Sequence, residues 1–322
     1  MRRAVAALLV PALVLPGCRG PANEGTGPDG VRVVTTVAPI ADLVRRVAGG
    51  TAEVVALVPD GVDSHTFEPD PAQAADLAGA RLFVANGLGL EEPSIRLAQA
   101  NLPEGASIVR LGDDTVPPEE WVFDRSFPEA GGVPNPHAWL DVPRAIRYVE
   151  RIAQAVAGVV AEDDRAQVRR NARALAAELT ALHEAVETAV ATVPARNRKL
   201  LTYHDSWAYF GRRYGFTVVD AVQPAGMSEP SAAEVREVID QIRAQGVPAV
   251  FGSEVFDDEV LRAIARETGV RFVGDLADDA LPGEPGDPEH SYVGMMARNV
   301  RTVVEALGGD ASALDRLSGV HQ

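Results

Sequence analysis

The sequence predicts an α/β protein of two similar lobes, each a parallel-type sheet with flanking helices, joined by one long spine helix. Three observations predict it. Short β-branched runs alternate with helical spacings in both halves, an order that builds parallel sheets covered by helices. One long amphipathic stretch separates the halves, and 322 residues are enough chain for two cores. In the first half, VRVVTT (31–36) reads as a strand, ADLVRRVAG (41–49) as a helix and EVVALV (53–58) as a strand. DPAQAADLAGA (70–80) and EEPSIRLAQA (91–100) follow as helices, and RLFVAN (81–86) and ASIVRL (106–111) as strands. A loop rich in Gly, Pro and acidic residues spans 112–136, and a helix from about Val142 to Val160 closes this half.

Between Arg165 and Val193, apolar residues fall at Val168, Ala172, Leu175, Leu179, Leu182, Val186, Ala189 and Val193, which holds one stripe on one helical face. About 28 residues at 1.5 Å rise make a rod of roughly 42 Å, and Pro194 stops it. Such a stripe suits a coiled coil or a spine packed on both halves. A single helix flanked by two α/β halves favours the spine, which restrains lobe opening more than loop hinges do. In the second half KLLTYH (199–204), FTVVDAV (216–222), PAVFGSE (248–254) and VRFVGDL (270–276) are strands. Helices begin near Asp205, Ser231 and Asp257, Ser231 with Glu234 forming a capping-box signature. The last helix runs from Tyr292 to about Leu307.

The N-terminus carries an address. MRRAVAALLVPALVLPG (1–17) has a basic start and an apolar stretch from Ala4 to Leu15, shorter than the roughly 20 residues of a membrane span. LPGC at Leu15–Cys18 resembles a bacterial lipobox, implying cleavage before Cys18 and lipid attachment to its sulfur, with Pro16 where Ala or Ser is usual. RGPANEGTGPDG (19–30) reads as a flexible tether. The expected organisation is therefore a leader (1–17), an anchor and tether (18–30), a first lobe (31–162), the spine (163–194) and a second lobe (195–322), with the folded part outside the cell membrane.

Composition narrows the function. Hydrophobic residues make up 46% and charged residues 24%, as in a globular protein, and 46 acidic against 30 basic side chains leave a net charge of −16. Nucleic acid is a poor partner for such a chain, because phosphate contacts need clustered Lys and Arg. A single cysteine, Cys18, excludes a disulfide framework and a multi-thiolate zinc cluster. Any metal must be held by nitrogen and oxygen.

Three of the six histidines stand where an α/β protein places its ligands, in loops after the carboxyl ends of strands or beside turn residues. His65 lies in DGVDSHTFEP, His137 in NPHAWLD, and His204 ends KLLTYH. If the halves face one another across a cleft, the three converge, and GDLADDALPG offers Asp275, Asp278 and Asp279 to complete four-coordination. His183 beside the spine stripe, His290 and His321 carry no such signal. Glu254, Asp141 and Asp205 are candidates for holding the ligand side chains, the two aspartates being equally placed as helix caps. A zinc hydrolase is the rival class, but no HExxH or GxSxG occurs. NGLGLEEP (86–93) has the wrong spacing for a dinucleotide fingerprint.

SHTFEP around His65, NPHAWLD around His137, HDSWAYFGRRYGF from His204, the EPS at 229–231, and GDLADDALPG followed by SYVGMMARNV resemble successive motifs of the zinc- and manganese-binding proteins of bacterial ABC importers. They occur in that family's order and cover nearly all of residues 31–307. The resemblance implies a non-enzymatic, monomeric capture protein with the metal in its cleft, a permease and an ATPase as partners, and no membrane contact beyond the lipid anchor. Carried over position by position, the ligands are His65, His137, His204 and Asp279, the last by matching the sixth residue of GDLADDA. Asn135 replaces the Asp common before PH, and EEWVFDRSFPEAGGVP lacks the His-rich loop of many zinc-import relatives. Three imidazoles and a carboxylate suit Zn²⁺. Manganese, often met in relatives by two His and two carboxylates, is the alternative. Affinity is expected to fall as pH drops through the imidazole range near 6.5.

Overall fold

In the computed structural model, which describes residues 30–223 and 229–319, the first half runs β1 (Arg32–Thr35), α1 (Ala38–Ala48), β2 (Glu53–Ala56), α2 (Pro71–Ala78), β3 (Leu82–Ala85), α3 (Glu92–Asn101), β4 (Ser107–Arg110), α4 (Leu111–Thr115) and α5 (Val142–Val159). The long helix α6 (Arg165–Ala191) follows. The second half comprises β5 (Lys199–Thr202), α7 (Ala208–Tyr214), β6 (Thr217–Ala221), α8 (Ala232–Gln245), β7 (Ala249–Ser253), α9 (Glu259–Thr268), β8 (Arg271–Leu276) and α10 (Tyr292–Ala306). Each lobe holds one four-stranded sheet, ordered β2-β1-β3-β4 and β6-β5-β7-β8, and every pairing is parallel. The two lobes thus repeat one topology, and all loops beyond the strands' carboxyl ends open on the same edge of each sheet.

The strands form where apolar side chains must serve two faces. In β3, Leu82 and Val84 join the core that includes the spine, whereas Phe83 and Ala85 pack on the other face with Val34, Leu77 and Ile95. Two helix starts are fixed by reciprocal caps. Asp70 and Gln73 close the capping box of α2, and Ser231 and Glu234 that of α8.

On α6 all the stripe residues from Val168 to Ala189 are buried, and they share one core with α1, α5 and α10. The stripe is consumed within the chain, so the spine reading holds and the coiled coil does not. Polar contacts clasp α6 to both lobes. Gln167 and Asn171 donate to the carbonyls of Gly49 and Val47 (2.8 and 3.2 Å), Glu178 pairs with Arg46, and Thr192 Oγ1 accepts from the amide of Asp310 (2.7 Å).

Three local expectations change. The segment 112–136 opens with α4 and carries 3-10 turns at 118–120 and 129–131, because Leu111, Gly112 and Val116 are buried and Trp121 Nε1 bonds the Val116 carbonyl (3.1 Å). Helix α7 starts at Ala208 rather than Asp205, whose carboxylate is drawn across to the first lobe. Helix α9 starts at Glu259, whose amide donates to Asp257 Oδ1 (2.7 Å). The leader, Cys18 and His321 lie outside the described residues, and none of the described helices is long and apolar enough to cross a membrane.

Candidate metal centre

The three histidines singled out by position converge. His65 follows β2, His137 precedes α5 and His204 follows β5, so two come from the first lobe and one from the second. His137 Nε2 lies 3.1 Å from His65 Nε2 and 3.1 Å from His204 Nε2. His137 and His204 are buried, and His65 is half-buried at the mouth. Phe127 stands 5.9 Å from the His65 ring and Phe256 5.4 Å from the His204 ring, measured between centroids, so aromatic walls flank the group.

The rings are held from behind by amides. Asn135 Oδ1 accepts both the backbone N–H of His137 and its Nδ1–H, each at 2.9 Å. Asn135 Nδ2 donates to Asp124 Oδ2 and to the Asp205 carbonyl, both at 2.6 Å, which fixes which end of the amide is oxygen. His204 Nδ1 sits 3.0 Å from Gln223 Oε1, at the end of β6. Both rings therefore carry their proton on Nδ1 and turn the Nε2 lone pair inward. Two acceptors facing at 3.1 Å do not bond one another; a cation between them would satisfy both. Burial, then the repulsion a protonated His65 would meet from a protonated His204, pushes the His65 imidazole well below its usual 6.5, and burial with the same repulsion from His204 and His65 does so for His137. Both rings therefore favour the neutral form, the one able to bind a cation.

Asp279, on the loop after β8, comes together with His65 and Asp63 rather than with all three histidines. Its Oδ2 accepts from Ser64 N (3.1 Å) and Ser64 Oγ (2.6 Å), a bond pair between the lobes beside His65. Its Oδ1 is buried without a hydrogen-bond partner. Ligand atoms of Asp63, His65 and Asp279 all lie within 4.8 Å of one another, as do those of the three histidines. Neighbouring Asp278 is also close, with Oδ2 3.9 Å from His204 Nε2, and burial and the Asp279 charge push its carboxyl up to about 7.

The supporting carboxylates divide. Glu254 Oε1 accepts the amides of Asp278, Asp279 and Ala280 (2.8, 3.0 and 3.1 Å), so it shapes the loop that presents Asp279 rather than a histidine. Asp205 Oδ2 takes the Ser126 amide (3.1 Å), bracing the second lobe against the loop that bears Asn135. Asp141 makes no cap bond with its side chain; it pairs with Arg144 Nε (3.0 Å) and, across the lobes, Arg213 Nε (2.9 Å). His183 bonds Tyr214 Oη (3.1 Å), and His290 lies 3.7 Å from Asp60. Asn135, Gln223 and Ser64 were not singled out as holders of the site. The signals available were Asn135 standing two residues before one candidate ligand and Ser64 standing immediately before another.

Two lobes of one topology on a shared spine, with nitrogen and oxygen donors gathered where their strand ends meet, define a bilobal cleft-type binding protein. The chain belongs to the family described as "Zinc-uptake complex component A periplasmic", which it matches over residues 33–306. It is 31% identical over 303 residues to the manganese-binding lipoprotein MntA of Halalkalibacterium halodurans, covering 93% of this chain and 96% of that one. It is 29% identical over 280 residues to the iron-binding protein YfeA of Yersinia pestis, with 86% of each chain covered. The solved periplasmic zinc binding protein TroA from Treponema pallidum superposes with a TM-score of 0.77 at 28% identity, covering 86% of this chain and 99% of that structure.

Proposed function

We propose that this chain captures a divalent transition metal outside the cell membrane, zinc in preference to manganese, and hands it to an ABC permease powered by a separate ATPase. His65, His137, His204 and Asp279 are the ligands in this reading. The observation that carries it is the pair of imidazoles locked as Nδ1–H tautomers with their Nε2 lone pairs 3.1 Å apart. The orphaned, buried Asp279 Oδ1 supports the fourth position, since such an oxygen is costly unless something binds it. Family membership supports transport rather than catalysis. Relatives are named for manganese, iron and zinc, so the metal is argued from the donor set. Three neutral nitrogens and one carboxylate favour tetrahedral zinc over oxygen-preferring manganese. Residues 31–162 and 195–322 act as the two jaws on the spine 163–194. The leader 1–17 directs export, and Cys18 with the tether to residue 30 holds the monomer at the membrane surface.

The test is elemental analysis of metal-free protein exposed to equal Zn²⁺ and Mn²⁺ and then desalted. One zinc per chain is expected. One manganese would overturn the metal choice, and no retained metal from folded protein would overturn the site. Asp279→Asn should weaken zinc binding more than Asp278→Asn does.

A further inference from the structure

Resting on the reading of Asp279 as a ligand, we infer that Ser64 is a specificity-determining residue that makes Asp279 a one-oxygen donor and so favours a four-coordinate metal. The two carboxylate oxygens of Asp279 live in different surroundings. Oδ2 accepts both the amide and the hydroxyl of Ser64, the hydroxyl bond being the shorter at 2.6 Å. Oδ1 has no partner and no solvent contact. The loop cannot rotate to exchange them freely, because Glu254 Oε1 grips three successive amides from Asp278 to Ala280 and Trp139 Nε1 holds the Asp278 carbonyl (3.1 Å).

The chemical consequence follows from what each metal accepts. Zinc is content with four donors in a tetrahedron. Manganese prefers a larger, oxygen-rich shell approaching six. A carboxylate with both oxygens free adds a donor by turning bidentate; one with an oxygen already holding two hydrogen bonds must break them first. Losing a hydrogen bond to a charged group weakens an interaction by about tenfold or more, so the Ser64 hydroxyl alone biases the choice by about that factor. Because Ser64 adjoins His65, the residue that fixes the donor count is on the first lobe and the donor on the second.

The experiment uses Co²⁺ as a coordination probe together with zinc–manganese competition on the purified chain. The parent should show the intense visible bands of four-coordinate cobalt. Ser64→Ala, which keeps the amide bond but removes the hydroxyl, should weaken those bands and lower the zinc-over-manganese ratio about tenfold. Ser64→Thr should restore both. A Ser64→Ala variant with the parent's spectrum and ratio overturns the inference, as does one that loses affinity for both metals equally. Asp279→Asn separates the two readings: if it alters the cobalt spectrum while Ser64→Ala does not, the ligand stands and the inference falls. If Asp279→Asn leaves spectrum and affinity unchanged, the ligand assignment itself falls.

Discussion

Asn135 uses the two ends of one amide for two purposes: its oxygen fixes the tautomer of His137, and its nitrogen ties that loop to Asp124 and to the second lobe through the Asp205 carbonyl. Losing such an outer partner typically costs 10–100-fold in metal affinity. Asn135→Ala is expected to weaken zinc binding within that range while the far-ultraviolet circular dichroism is unchanged. Retained parental affinity in a chelator competition would show that the ring needs no such support. The depressed pKa values of His65 and His137 set the pH response. A ligand protonated only well below 6.5 is not contested by protons at 6.5, so the sequence-based expectation of a fall through that pH shifts to more acidic values. Titrating zinc-loaded protein downward from pH 7 should release metal with a midpoint below 6.5; release centred at 6.5 or above would contradict it. The metal-free fold responds with the same sign. Between the folded and ordinary pKa values the unfolded chain binds more protons, so these two rings withdraw stability as pH falls below 6.5.

Helix α6 is the element on which both lobes depend. Leu179 and Leu182 sit near the middle of the stripe, fully buried in the core shared by the two halves. Leu179→Ala should cost about 2–5 kcal/mol, read as a lowered urea midpoint with little change in slope. A cost below ~1 kcal/mol would mean that the stripe packs loosely. This helix was legible because its 4-3 spacing needs no knowledge of partners, and the cap of α8 was legible because it is closed within four residues. The histidines were legible because loops beyond parallel strands are where side chains meet. Ser64 and Gln223 were not, since each acts on a residue distant in sequence, 215 positions away for Ser64 and 19 for Gln223. Asp141 misled for a related reason: adjacency to the His137 motif suggested service to the site, whereas Arg213 reaches it from the other lobe.

At the scale of the whole molecule the lobes are coupled by more than the spine. One apolar cluster runs from Val33 and Trp139 in the first lobe through α6 to Phe210, Tyr292 and Val300 in the second. Buried polar contacts cross the same boundary: Tyr292 Oη donates to the Trp139 carbonyl (2.6 Å), Trp139 Nε1 to the Asp278 carbonyl, and Ser64 to Asp279. Trp139 and His137 share a short segment, so the packing that joins the lobes also places the histidine cluster. A molecule built this way should unfold as one unit. Loss of either lobe would expose the spine face and strand the other lobe's half of the cluster, leaving no stable intermediate. Calorimetry of metal-free protein should therefore give a single transition whose calorimetric and van't Hoff enthalpies agree. In the proposed reading zinc binds only where both lobes are folded together, so it should stabilise that one transition, by about 2.7 kcal/mol at a free concentration a hundred times Kd. Two resolved transitions, with zinc moving only one of them, would show that the lobes fold independently and that the common core contributes little to holding the site closed.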